Sequence, residues 1–175
     1  MKSIQIDKNY KDIKEINRLY DASFPDDERI PFKRLINNLD TDKVMYVYYD
    51  NDLLVGMTFL YLYNDLAYLS YICVEENLRD KGYGSKILEK VIDDFKDYRI
   101  VLDIEEVVSE SDNYKERKRR KDFYLKNGFE SANIFYHIYH VDYEILHYGK
   151  DVNKDDWHSI IRKHWGIFAE SATYR

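Results

Sequence analysis

Seven consecutive residues, Arg79-Asp80-Lys81-Gly82-Tyr83-Gly84-Ser85, hold the ingredients of an anion-binding loop. Glycine lets a backbone approach a ligand closely and adopt conformations that a side chain forbids. The apolar residues that follow, Ile87, Leu88, Val91, Ile92 and Phe95, recur at helical spacing, so the loop opens a helix. The first N–H groups of a helix lack partners in its own backbone, and the helix dipole favours negative charge there. Arg79, Lys81 and Lys86 bring positive charge to a chain with 27 basic and 33 acidic residues, and Ser85 adds a hydroxyl. A pyrophosphate suits such a cradle. Two glycines one residue apart also serve an ordinary strand–loop–helix connection, so the spacing alone leaves both readings open.

Other chemistries fit less well. A dinucleotide fingerprint needs a third glycine three positions after Gly84, inside a strand–helix–strand unit, and a P-loop needs Gly-Lys-Ser/Thr; neither is present. The net charge of −6 disfavours binding along a nucleic-acid backbone. Cys73 is the one cysteine, so no intrachain disulfide forms. His137-x-x-His140 on a strand would turn its two rings to opposite faces, so no metal site is expected. The polar first ten residues lack the apolar core of a signal peptide, and no run approaches the ~18 apolar residues of a membrane span. The expected location is the cytoplasm, without membrane attachment.

The elements that must position the loop follow from periodicity. Ser3 to Ile6 reads as a strand, and Asn9 as the cap of a helix from about Tyr10 to Ala22. A second helix is expected from near Pro25 to Leu39, with Pro31 at its start or kinking it. Val44–Tyr49, Leu53–Tyr63 and Leu66–Val74 read as a three-strand meander turned at Asn51 and Asn64. In the third strand Tyr68, Ser70, Ile72 and Val74 share a face, and Leu69, Tyr71 and Cys73 share the other. Ile100 to Glu106 is a further strand, followed by a helix from Tyr114 to Lys126 that stops at Asn127-Gly128. Two more strands, one from Phe129 through Ile134 to His140 and the other from Val141 to Tyr148, precede a final helix from about Asp155 to Trp165. No repeat or composition shift marks a boundary, so one domain is expected over residues 1–175, with a core to 148 and a helical extension after it.

Two segments, taken together, carry a resemblance. Arg79-Asp80-Lys81-Gly82-Tyr83-Gly84 resembles the pyrophosphate motif Gln/Arg-x-x-Gly-x-Gly/Ala of the GNAT superfamily N-acetyltransferases. Phe123-Tyr124-Leu125-Lys126-Asn127-Gly128-Phe129 looks like the family's second signature, and Phe24-Pro25-Asp26-Asp27-Glu28-Arg29 resembles a segment of bacterial members. The resemblance spans about residues 1–148. It implies an α/β fold of the α+β kind: a mixed, mainly antiparallel sheet of six to seven strands with helices on both faces. A gap is expected between the strands ending near Val74 and starting near Ile100.

The resemblance also implies roles. Backbone at Ile72, Cys73 and Val74 would pair with the pantetheine arm of acetyl-CoA, the Ile72 N–H facing the thioester oxygen. Arg79, Asp80, Lys81, Gly82, Tyr83, Gly84 and Ser85 would hold the pyrophosphate. Tyr124 would protonate the departing thiolate, a task suited to a phenol that is neutral at pH 7. The acceptor would be a primary amine, of a small molecule or a peptide, attacking directly in a ternary complex. Tyr68 and Ser70 stand where family members often carry a base, and neither is one. Glu105 is therefore the candidate general base, with Glu28 second and a water chain third. A non-catalytic CoA-binding or interaction module is the alternative, and Tyr124 separates the two because a mere binder has no use for it. Lys115 to Lys121 reads as a solvated basic face or a contact for an acidic group. Trp157 and Trp165 would pack on the sheet, close the acceptor pocket or join a homodimer.

Overall fold

The computed structural model describes all 175 residues except Asp27, Glu28 and Tyr139. Glu28, the second candidate base, lies outside the described residues. Eight strands among the described residues, β1 (Lys2–Ile6), β2 (Lys43–Asp50), β3 (Leu53–Tyr63), β4 (Leu66–Val74), β5 (Arg99–Glu105), β6 (Glu130–Ile138), β7 (Val141–Tyr148) and β8 (Thr173–Tyr174), follow the order β1-β2-β3-β4-β5-β7-β6-β8. The chain divides into two compact units, residues 1–62 with 69–94, and residues 63–68 with 95–175. Among the described residues no helix is long and apolar enough to cross a membrane.

In the first unit, β1 (Lys2–Ile6) pairs antiparallel with β2 (Lys43–Asp50), and β2 with β3 (Leu53–Tyr63). Asn51 makes the hairpin turn at φ +54°, a left-handed conformation that asparagine tolerates. β4 (Leu66–Val74) falls where alternation placed it. Helix α1 (Ile13–Ser23) buries Ile16, Leu19 and Tyr20, the stripe that helical spacing requires. It starts at Asp12 rather than Asn9, because the Asn9 N–H turns back to the Asp7 carboxylate at 2.8 Å. The second helix is shorter than expected: α2 is only Phe32–Asn37. Pro31 precedes it with ψ 128°, an extended residue that ends any helix arriving from Pro25. Tyr20 on α1 meets Tyr71 on β4 edge-to-face at 5.1 Å and Phe32 on α2 at 5.6 Å.

Helix α3 (Tyr83–Asp94) buries Ile87, Leu88 and Val91. Its seat on the strands depends on Gly56 of β3. A Cβ at Gly56 would lie 2.3 Å from the Cys73 carbonyl oxygen and 2.7 Å from Ile87 Cδ1. Both distances are below any van der Waals contact, so only glycine lets β3, β4 and α3 close up here.

In the second unit, Leu66–Tyr68 of β4 pairs parallel with Arg99–Val101 of β5 (Arg99–Glu105). β5 then pairs with β7 (Val141–Tyr148), β7 with β6 (Glu130–Ile138), and β6 with β8 (Thr173–Tyr174). β8 is the strand beyond the six or seven expected, too short to show an alternating pattern. Helix α4 (Tyr114–Lys126) ends at Gly128, φ +86°, with the Phe129 N–H donating back to the Tyr124 carbonyl at 3.1 Å. Helix α5 (Lys154–Trp165) opens with a reciprocal cap between Asn153 and Asp156. Arg99 bridges Asp65 and Asp156, tying the start of α5 to the start of β5. On β7 the Tyr143 ring stacks on Tyr136, on the side where α5 lies. The next residue, Glu144, binds Lys121 of α4. Adjacent strand residues point oppositely, so α5 and α4 cover opposite faces of these strands.

Gly56→Val should cost about 1–3 kcal/mol, the usual range for overpacking. A thermal or urea melt should show a lower midpoint; an unchanged one would mean the three elements separate at no cost.

Candidate functional site

The anion loop is built in the first unit. β4 ends at Val74, where the Glu75 N–H donates to the Val55 carbonyl at 2.8 Å. A single tight turn, Glu76–Leu78, buries Leu78 and leaves Arg79, Asp80, Lys81 and Gly82 exposed. Asp80 (φ +59°) and Gly82 (φ +81°) both take left-handed conformations. No heavy atom lies within 4 Å of a Cβ built on Gly82, so glycine serves its backbone angle there rather than close packing. The Lys86 N–H donates to the Gly82 carbonyl at 3.2 Å, which makes Gly82 the residue that launches α3. Among the described residues, none of the six backbone N–H groups from Asp80 to Ser85 donates a hydrogen bond. Tyr83 is anchored through its hydroxyl to Asp50 at 2.8 Å, and the Lys86 ammonium sits 5.0 Å from the Tyr83 ring centroid. Ile72 and Val74 are half-buried, and Cys73 is buried with its thiol pushed up to about 11 by burial, which leaves it neutral and unreactive. The expected residues of this loop therefore share one strand end and one helix start.

The second unit holds the two candidate catalytic residues and one that sequence reasoning passed over. Tyr124, on the last turn of α4, is buried against Phe129 and Phe123. Among the described residues its hydroxyl makes no hydrogen bond. Burial, opposed by Arg120 and reinforced by Asp103, pushes the phenol up to about 12, so it carries its proton at neutral pH. Glu105, at the end of β5, faces two guanidinium groups, Arg117 at 2.8 Å and Arg120 at 3.3 Å. Lys118 pairs with Asp122, and Lys121 with buried Glu144. The basic run on α4 thus spends four of its cations on carboxylates of the chain.

Asp103 is the residue that the sequence did not single out. Its two oxygens accept hydrogen bonds from the Tyr68 hydroxyl at 2.7 Å and the Tyr136 hydroxyl at 2.8 Å. Trp157 of α5 packs on both tyrosines, at 5.0 Å and 5.6 Å, and Trp165 lies 6.1 Å from Tyr68. Trp157 is fully buried, so its surface is spent within the chain. Strand alternation put Tyr68 on a named face; nothing in the sequence joined it to Asp103 across 35 residues, or either of them to Tyr136.

Comparison with known proteins agrees with this layout. A family model described as an acetyltransferase (GNAT) domain matches residues 41–131, a little over half of the chain. No curated protein sequence matches. Among solved structures, a Bacteroides thetaiotaomicron protein assigned to the GNAT family superposes with a TM-score of 0.79 at 22% identity, covering 97% of this chain and 99% of its own. A GNAT family acetyltransferase from Elizabethkingia anophelis, solved with acetyl-CoA bound, gives 0.59 at 18% identity, covering 85% and 97%. The aminoglycoside 6'-N-acetyltransferase from Enterococcus faecium gives 0.65 at 14% identity, covering 84% and 96%. At these identities the likeness is one of fold.

Burial raises the Asp103 carboxyl above the ordinary Asp range, against the lowering effect of the Tyr68 and Tyr136 hydrogen bonds and of Arg120. A raised acid favours the folded state while it is protonated. That contribution is complete below the unfolded value, about 3.9, and is lost as pH rises through the folded value. Asp103→Asn cannot ionise, so it should flatten this part of the stability–pH curve above about pH 4. Melting temperatures measured from pH 4 to 7 would check it; an undiminished slope in the variant would place the titration elsewhere.

Proposed function

The chain belongs to the GNAT acetyltransferase family, and from that premise we propose that it is a bacterial, cytoplasmic N-acetyltransferase that moves the acetyl group of acetyl-CoA to a primary amine. The observation that carries this reading is the row of six unpaired N–H groups from Asp80 to Ser85 at the start of α3, beside Arg79 and Lys81. Unpaired backbone donors at a helix N-terminus fit a pyrophosphate. The acetyl-CoA bound to the Elizabethkingia relative supports the cofactor. The 6'-N-acetylation named for the Enterococcus relative supports an amine acceptor.

Bound acetyl-CoA supplies an activated acetyl thioester. In the proposed scheme the amine attacks directly in a ternary complex. Ile72, Cys73 and Val74 present backbone to the cofactor's arm, the Ile72 N–H serving as donor to the thioester oxygen. Arg79, Asp80, Lys81, Gly82, Tyr83, Gly84 and Ser85 hold the phosphates. Tyr124 gives its proton to the departing sulfur, which its burial equips it to do by keeping the phenol neutral. Glu105 is better suited to fixing Arg117 and Arg120 than to taking a proton. Protonating it would leave two guanidinium groups without their counter-charge. In this scheme the amine's proton passes to solvent through water, the third of the candidate routes.

Two measurements test this scheme. Saturating CoA should raise the melting temperature, and acetyl-CoA with a panel of amines should release free thiol; no shift and no thiol with any amine would overturn the reading. Tyr124→Phe should lower turnover by roughly 10²-fold with little change in CoA affinity, since the ring still packs and only the proton is gone. Unchanged turnover would remove Tyr124 from the chemistry.

A further inference from the structure

We propose that Asp103, held by Tyr68 and Tyr136 within a cluster of rings, is the docking site for the acceptor's ammonium group, and that the acceptor presents a primary ammonium rather than a guanidinium. This rests on the acetyltransferase reading and names its substrate class.

The first ground is an imbalance of charge. Partly buried carboxylates of the second unit have cations: Glu105 has Arg117 and Arg120, Glu144 has Lys121, and Asp156 has Arg99. Asp103 has none within ion-pair distance among the described residues; its two hydrogen-bond donors are neutral phenols. Arg120 acts on it only from beyond ion-pair distance, and a carboxylate taken out of water with so distant a counter-charge is costly, a cost that an incoming cation repays.

The second ground is the wall. Tyr68, Tyr136 and Trp157 are buried, while Asp103, Tyr143 and Trp165 keep part of their surface exposed, so the cluster is packed at its centre and reaches the surface at its edge. The ring centroids are 5.0 Å apart for Tyr68 and Trp157, 5.6 Å for Tyr136 and Trp157, and 5.2 Å for the stacked Tyr136 and Tyr143. Aromatic faces attract cations, most strongly where water is excluded.

The third ground is geometry. Each Asp103 oxygen already accepts one phenol hydrogen bond, which spoils the free two-oxygen edge that a guanidinium fork prefers. A compact ammonium, with three donors, can use the lone pairs that remain.

The chain has two tryptophans, and both lie against Tyr68, so their fluorescence reports on this cluster. Titration of the wild-type protein with n-butylammonium chloride, at ionic strength matched with NaCl, should give a saturable change in emission. The isosteric 1-butanol should bind roughly 10-fold more weakly or worse, and Asp103→Asn should lose butylammonium affinity by a similar factor. Circular dichroism and the CoA-induced thermal shift verify that the variant is folded; if it is not, the wild-type comparison of butylammonium with butanol decides. Equal binding of butanol and butylammonium, or undiminished binding by folded Asp103→Asn, would overturn the site. A CoA-induced shift without an ammonium response overturns this inference alone. An ammonium response without thiol release overturns the enzymatic reading and leaves the cation site standing.

Discussion

The close approach at Gly56 is the constraint on which the first unit turns. A side chain there would occupy the space of the Cys73 carbonyl and the Ile87 methyl. Because that space is empty, the end of β4 and the start of α3 are both held against β3. The loop from Glu75 to Gly82 must then span the two fixed ends in a few residues. It does so with one short turn and two left-handed residues, Asp80 and Gly82. Past Arg79 such a path leaves the N–H groups from Asp80 to Ser85 with no acceptor among the described residues, the arrangement on which the proposed phosphate binding rests. The chemistry of the loop is thus a consequence of packing one strand away from it.

In the second unit the governing matter is how carboxylates are balanced. Glu105 and Glu144 are satisfied by cations from α4, so the run of basic residues on that helix is structural in its main use. Asp103, two residues from Glu105 on the same face of β5, is satisfied only by phenols. Identical chemistry in two neighbouring positions acquires different capacity: one carboxylate organises guanidinium groups, and the other stays available to a cation from outside. Tyr124, buried nearby on its helix end, is kept neutral by the same exclusion of water that raises Asp103.

Much of the layout was legible because it rests on local rules. The strand Leu66–Val74 and the helix Tyr114–Lys126 have the bounds that alternation and the Asn127-Gly128 stop signal indicate. The turn from Arg79 into α3 was readable from residue types alone, since glycines, cations and a helix start are neighbours in sequence. The second helix was overextended because Pro31 permits either a kink or a fresh start, and the extended backbone before Phe32 settles that choice. The two-residue strand Thr173–Tyr174 offers no period to read; it exists because Tyr136 and His137 present an edge to it.

By itself the sequence determined the order of the longer elements, the glycine-bearing turn from β4 into α3, and the family signature in two short motifs. Those depend on neighbours a few positions apart, where backbone geometry alone links residue type to structure. Only the tertiary structure decided that Gly56 is indispensable, that Glu105 is already spent on two arginines, and that Asp103 joins Tyr68 and Tyr136. These facts depend on which side chains meet across 12 to 35 residues of chain, and on which of them are left without water or a partner. Charge, burial and hydrogen-bond capacity are properties of such meetings, and no spacing along the chain encodes them.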